Sequence, residues 1–231
     1  MLQVVNSPFY GFPSQVDSLS RAVTIMGVKA LSTLAVGVSA MQVFKDIPPD
    51  LTDMKRFWKH SIACGVFASL LAGHRPGESV ERFFVAGLLH DIGRLVILKE
   101  LPHAAKETLV FSRANSIPLH LAEMETLGFD HAEVGGRLLA QWSLPESLVD
   151  IVRFHHEPEK STDPVAASLV QMADSLAISM GMISGGAKTV PSVSRDAWET
   201  TGISSSVLGP VASQSERQIQ EIVNAFFGPT E

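Results

Sequence analysis

The chain has 231 residues, 45% hydrophobic and 18% charged, which is enough to bury a core and excludes a disordered chain. A net charge of −6 and a pI near 5.7 give no general attraction to nucleic-acid phosphates, so bulk DNA or RNA binding is disfavoured. Cys64 is the only cysteine, no apolar run reaches the ~20 clean residues of a membrane span, and MLQVVNSPFYGF is no signal peptide, so a soluble cytoplasmic protein is expected.

Val16 to Phe44 reads as helix from the spacing of Leu19, Val23, Met26, Val28, Leu31, Leu34, Val38 and Met41, with Gly27 and Gly37 marking a turn and a close contact. DIPPD breaks the pattern, which resumes from Leu51 to Ala72 and stops at GHRPGES. Helices are expected next over Ser79 to Leu98 and Pro102 to Asn115. Asp130, with Glu133 three residues on, can cap a helix from His131 to Trp142. Pro145 opens a helix that ends near His156, and Pro164 opens another through Leu176. Nowhere does strict alternation persist, so the fold class is all-α. Residues 184–193 read as a small-residue linker between a domain over 1–183 and a helical appendage over 194–231, with Ile219, Ile222, Val223 and Phe226 on one face.

The stretch FFVAGLLHDIGRLVI is apolar almost throughout, yet holds His90 and Asp91 at its middle. A buried unpaired carboxylate costs several kcal/mol, so Asp91 should have a partner. His60, His131, His155, His156 and Asp174 also fall in apolar helical settings, whereas His74, His103 and His120 sit in polar or turn-like contexts and read as solvated. Imidazole and carboxylate are the usual ligands of borderline and harder divalent metals, and a cation would neutralise the buried aspartates. Taken singly, each of these residues also fits an ordinary hydrogen-bonded core position. The dipeptides HD and HH, both inside apolar helices, favour the metal. On one continuous helix His90 and Asp91 would stand ~100° apart and flank an ion from two sides.

At these residues the chain resembles the HD superfamily of metal-dependent phosphohydrolases, and most specifically its HDOD family, the HD-related output domains of bacterial signalling proteins. The resemblance rests on VVNSPFYGFPSQVDSLSRAVTIMGVKALSTLAV, FVAGLLHDIGRLVI and HAEVGGRLLAQWSLPESLVDIVRFHHEP, and covers about Met1 to Met182. It implies an HD-like helical bundle that begins partway into the family pattern. It also implies that His60, His90, Asp91 and Asp174 hold one divalent ion. His131, His155 and His156 would add a second, with Asp91 bridging and iron, manganese, nickel or zinc as the candidates. Two departures from the catalytic relatives stand out: the phosphate-facing lysine of HDIGK is Arg94 here, and PEKSTDPV replaces the GYP loop. Arg56 stands where trinuclear versions carry an acidic ligand, so no third ion is implied.

Two functions compete. A signalling module would keep the metal for structure or sensing and relay a state to a protein partner. A phosphohydrolase would set a metal-bound hydroxide on a phosphoester or cyclic dinucleotide, with Asp91 and Arg94 as its catalytic residues. The module is the expectation, because the substrate loop is missing.

Overall fold

The computed structural model describes residues 2–6, 15–44, 46–75, 80–184 and 193–228, and among these all regular structure is helical, as the sequence predicts. Asn6 clasps the start of the fold, its side chain donating to the Val16 carbonyl at 2.8 Å and accepting from the Val16 amide at 2.6 Å. This joins α1 (Leu2–Val5) to the segment before α2 (Leu19–Met26). Gly27, at a φ of +82° that costs glycine least, separates α2 from α3 (Val28–Val43).

Asp53 caps α4 (Met54–Ala72) by accepting from the Arg56 amide at 3.0 Å. From Phe57 to Ala72 nearly every side chain of α4 is buried, as befits a central helix that is apolar nearly all round. Its antiparallel neighbour is α5 (Val80–Leu89), and the two touch backbone to backbone: a Cβ on Gly87 would lie 2.6 Å from the Gly65 Cα.

The single helix predicted over Ser79 to Leu98 is two helices, with Ser79 itself outside the described residues. The chain turns at His90 and Asp91, where Asp91 has φ −91° and ψ 5°, and continues as α6 (Ile92–Glu100). The turn sends α6 onto α9 (His131–Gln141), where Gly93 fits flush: its Cβ would be 2.0 Å from the His131 carbonyl oxygen. The azimuth expected between His90 and Asp91 on one helix therefore does not apply, since they occupy the corner between two.

The sequence reading has no element between α7 (Pro102–Asn115) and Asp130, yet α8 (Leu119–Leu127) lies there. Its pattern is inverted: Glu123 is buried, while Leu121 and Met124 are each 49% exposed. Helix α10 (Glu146–Phe154) packs on α9, and α11 (Pro164–Ser179) packs on α4. Beyond them, α12 (Arg195–Thr201) lies against α11, and α13 (Leu208–Phe227) lies along α4 with Val211, Ile219, Ile222 and Val223 buried. Residues 185–192 of the expected linker lie outside the described residues. No helix among the described residues is long and apolar enough to cross a membrane.

Candidate metal centre

His60 sits mid-way along α4 with its ring buried, and its Nδ1 bonds to the Met182 carbonyl at 2.8 Å. That contact turns Nε2 inward, 3.2 Å from Asp174 Oδ1 on α11 and 3.7 Å from Asp91 Oδ2. His90, at the end of α5, is held the same way: Nδ1 bonds to the Gly87 carbonyl at 2.7 Å, and Nε2 faces Asp91 Oδ1 at 3.5 Å and Asp174 Oδ1 at 3.8 Å. His155 repeats the pattern through the Val152 carbonyl at 2.7 Å. His131, the first residue of α9, binds a carboxylate instead: Glu123 Oε2 accepts from its amide at 2.9 Å and from its Nδ1 at 2.5 Å. Its Nε2 then lies 3.1 Å from Asp91 Oδ1 and 2.9 Å from His156 Nε2.

All seven predicted ligands thus converge, as two groups joined by Asp91: His60, His90, Asp91 and Asp174 on one side, His131, His155 and His156 on the other. Within His60–His90–Asp91 and within His131–His155–His156 the candidate donor atoms lie within 4.8 Å of one another. The remaining candidate, Arg94, is buried beside them, its Nη1 donating to Asp91 Oδ2 at 2.7 Å and to the Ser184 hydroxyl, with the guanidinium 5.8 Å from the Phe57 ring centre. Arg56 is solvent-exposed and pairs with Asp53 at 3.5 Å, away from the cluster.

Burial and neighbouring charges shift the titrating groups of the cluster. Burial would raise the Asp91 carboxyl, but His90, Arg94 and His131 outweigh it and hold Asp91 well below the usual range. Burial, reinforced by His90 and His131, pushes His155 down to about 3, so its ring is neutral at pH 7. Burial also opposes charge on His131, yet Glu123 and Asp91 prevail and raise it to about 10.

The donor set fits a metal. The Nε2 atoms of His90 and His155 are buried without a hydrogen-bond partner, a costly state in an otherwise satisfied interior. His131 and His156 bring two ring nitrogens to 2.9 Å, a contact that needs a proton or another cation between them. Each Nδ1 anchor to a carbonyl or carboxylate fixes the ring and leaves Nε2 as the free donor, the usual support of a metal-ligating histidine.

His120, read as solvated, is instead stacked on His156 with ring centres 3.9 Å apart and planes at 16°. Burial is the main reason that its pKa is lowered. Glu123 and Ser184 were not foreseen either. The signal for Glu123 was available, as a lone acid in the apolar run LHLAEM. Nothing in the small-residue sequence around Ser184 points to the site. His74 and His103 are exposed, as expected.

A cleft leads from solvent to this cluster, lined by Pro118, Leu119, His120, Ile178, Ile183 and Ser184. The segment after Glu157 does not reach it. That segment closes on α10, where Asp150 accepts from the Ser161 hydroxyl and from the Thr162 amide at 3.1 Å.

A family model, the HDOD domain, matches residues 1–158, more than half of the chain. The chain belongs to the HDOD family. An uncharacterized protein of Treponema pallidum (strain Nichols) is 28% identical over 157 residues, which are 68% of this chain but 30% of that protein. Among solved structures, an HDOD domain protein of unknown function from Geobacter sulfurreducens superposes with a TM-score of 0.75 at 24% identity, over 98% of this chain and 80% of that one. A candidate phosphohydrolase from Shewanella amazonensis gives 0.69 at 25% identity, over 97% and 81%. A candidate signal transduction protein from Marinobacter aquaeolei gives 0.73 at 21%, over 97% of this chain and 51% of that one. The HDOD match stops short of α11, which supplies Asp174.

Proposed function

We propose that this HDOD domain is a signalling module that holds one or two divalent ions and relays their presence to a protein partner. The observation that carries the reading is the common posture of His60, His90 and His155: each is buried with Nδ1 tied to a backbone carbonyl and Nε2 aimed into a cluster that contains Asp91 and Asp174. In this proposal His60, His90, Asp91 and Asp174 hold the first ion, His131, His155 and His156 the second, and Asp91 touches both. The functional unit then reaches to about residue 183, because Asp174 belongs to it.

Signalling is favoured over turnover by what surrounds the ligands. Arg94 lines the cleft, but its Nη1 is already engaged with Asp91 and Ser184, so the guanidinium is partly committed before any phosphate arrives. The inner end of the cleft is narrow, with room for a few waters beside the cluster.

The second reading, a phosphohydrolase, is supported by the opening of the cleft to solvent beside Asp91 and Arg94. A bound ion would supply a Lewis acid and a water of lowered pKa in that reading. His131 and His156 line that opening, and Arg94 would have to leave Asp91 to orient a phosphate.

Elemental analysis of protein purified without chelator tests the metal: bound iron, manganese, nickel or zinc is expected in the wild type and is lost in Asp91→Ala. Protein without metal sinks both readings. Metal-replete protein is expected to leave cyclic di-GMP intact and at most to hydrolyse bis-para-nitrophenyl phosphate weakly, since orientation supplies much of a catalytic rate. Robust cyclic di-GMP turnover, abolished by Asp91→Ala, would replace the module with the enzyme.

A further inference from the structure

We propose that Arg94, Ser184 and the Asp91 carboxylate form a latch that ties the segment Met182–Ser184, where the chain leaves α11, to the metal centre, and that metal loading opens it. This inference rests on the metal reading above and names the regulation of that same site.

The segment makes two separate polar attachments to the cluster within three residues. The Met182 carbonyl accepts from His60 Nδ1 at 2.8 Å, and the Ser184 hydroxyl both accepts from Arg94 Nη1 and lies 3.4 Å from Asp91 Oδ2. Ser184 is buried, although it stands in a run of small residues that packing alone would not hold inside. What holds it is the Arg94–Asp91 pair.

That pair is also what an ion would disturb. Asp91 Oδ2 carries Arg94 at 2.7 Å, and the same carboxylate belongs to the His60–His90–Asp91 group of metal donors. Arg94, with His90 and His131, is a counter-charge that lets Asp91 stay ionised inside the protein. A divalent ion at the same carboxylate takes over that role and repels the guanidinium across a few ångströms of poorly screened interior. When Arg94 moves, Ser184 loses its donor. The Met182–Ser184 segment then keeps the His60 contact, the bond of the Met182 amide to the Ala177 carbonyl at 3.0 Å and the longer approach of Ser184 to Asp91, and has lost its strongest tie to the centre.

The experiment follows Mn2+ uptake by equilibrium dialysis while hydrogen exchange is read on peptides spanning residues 180–184. Loading is expected to speed exchange at Met182 to Ser184 by about tenfold or more, as local opening becomes easier. Arg94→Gln is expected to show the fast exchange without Mn2+. It should also bind Mn2+ about tenfold more tightly, because one charge-assisted hydrogen bond no longer competes. Ser184→Ala, a milder change, is expected to free the segment with the fold retained by circular dichroism, which covers the case in which Arg94→Gln fails to fold. Uptake of Mn2+ with unchanged exchange overturns the latch and leaves the metal reading intact. Equal or weaker Mn2+ binding by folded Arg94→Gln also overturns it. Absence of uptake overturns the metal reading, and the latch with it.

Discussion

His131 shows how much of the centre depends on residues that are not themselves candidate ligands. Glu123 takes both its amide and its Nδ1 proton, which fixes the ring and raises the electron density at Nε2. We expect Glu123→Ala to weaken metal binding by about 10- to 100-fold in calorimetric titration, the usual loss when a ligand's outer partner is removed. Unchanged affinity would make Glu123 a structural carboxylate only. His120 gives a smaller effect. Its stack on His156 is of the kind worth roughly 0.5–1.5 kcal/mol, so His120→Ala should cost about two- to tenfold in affinity while His120→Phe, which can still stack, should restore it. The clustered histidines and aspartates were legible because a histidine or aspartate inside an apolar helix contradicts its surroundings. His120 and Ser184 contradict nothing locally, since their burial comes from elements distant in sequence, His156 in one case and Arg94 in the other.

Helices were legible wherever one apolar face repeats, as in the Leu148, Val149, Ile151 and Val152 face of α10 and the Ile219, Ile222 and Val223 face of α13. The break between α5 and α6 was not, because residues on both sides of the corner are buried and periodicity runs through it without interruption. α8 escaped for the opposite reason: it buries an acid and exposes Leu121 and Met124. Glycine carries the missing information at the corner. A Cβ on Gly93 would meet the His131 carbonyl oxygen at 2.0 Å and the Gly135 nitrogen at 2.5 Å, both backbone atoms that cannot step aside. Gly93→Ala should therefore destabilise the fold by about 3 kcal/mol or more, at the upper end of overpacking costs, and displace His131 from the centre. Gly209→Ala, in the exposed first turn of α13 with nothing within 4 Å, should be neutral or stabilising by up to about 1 kcal/mol. Urea denaturation of the two variants checks the contrast, and similar midpoints would remove Gly93 from the argument.

For the whole molecule, a centre assembled from α4, α5, α9, α10 and α11 exists only when those helices are packed, so any ion it holds favours the native state. At free metal about 100-fold above Kd the gain is about 2.7 kcal/mol, which for a chain of this size raises Tm by roughly 5–10 °C. Scanning calorimetry with Mn2+ and with chelator should show that difference, and it should vanish in Asp91→Ala. Coincident curves for the wild type would mean that the cluster binds no ion of consequence. The contact of Gly65 with Gly87 bears on how such a centre endures. His60 and His90 ride on two helices whose separation is fixed by peptide backbones in contact and not by the bulk of intervening side chains. Their spacing is thereby insulated from mutational drift: apolar residues elsewhere along α4 and α5 can be exchanged over generations without retuning the site, provided those two positions stay bare.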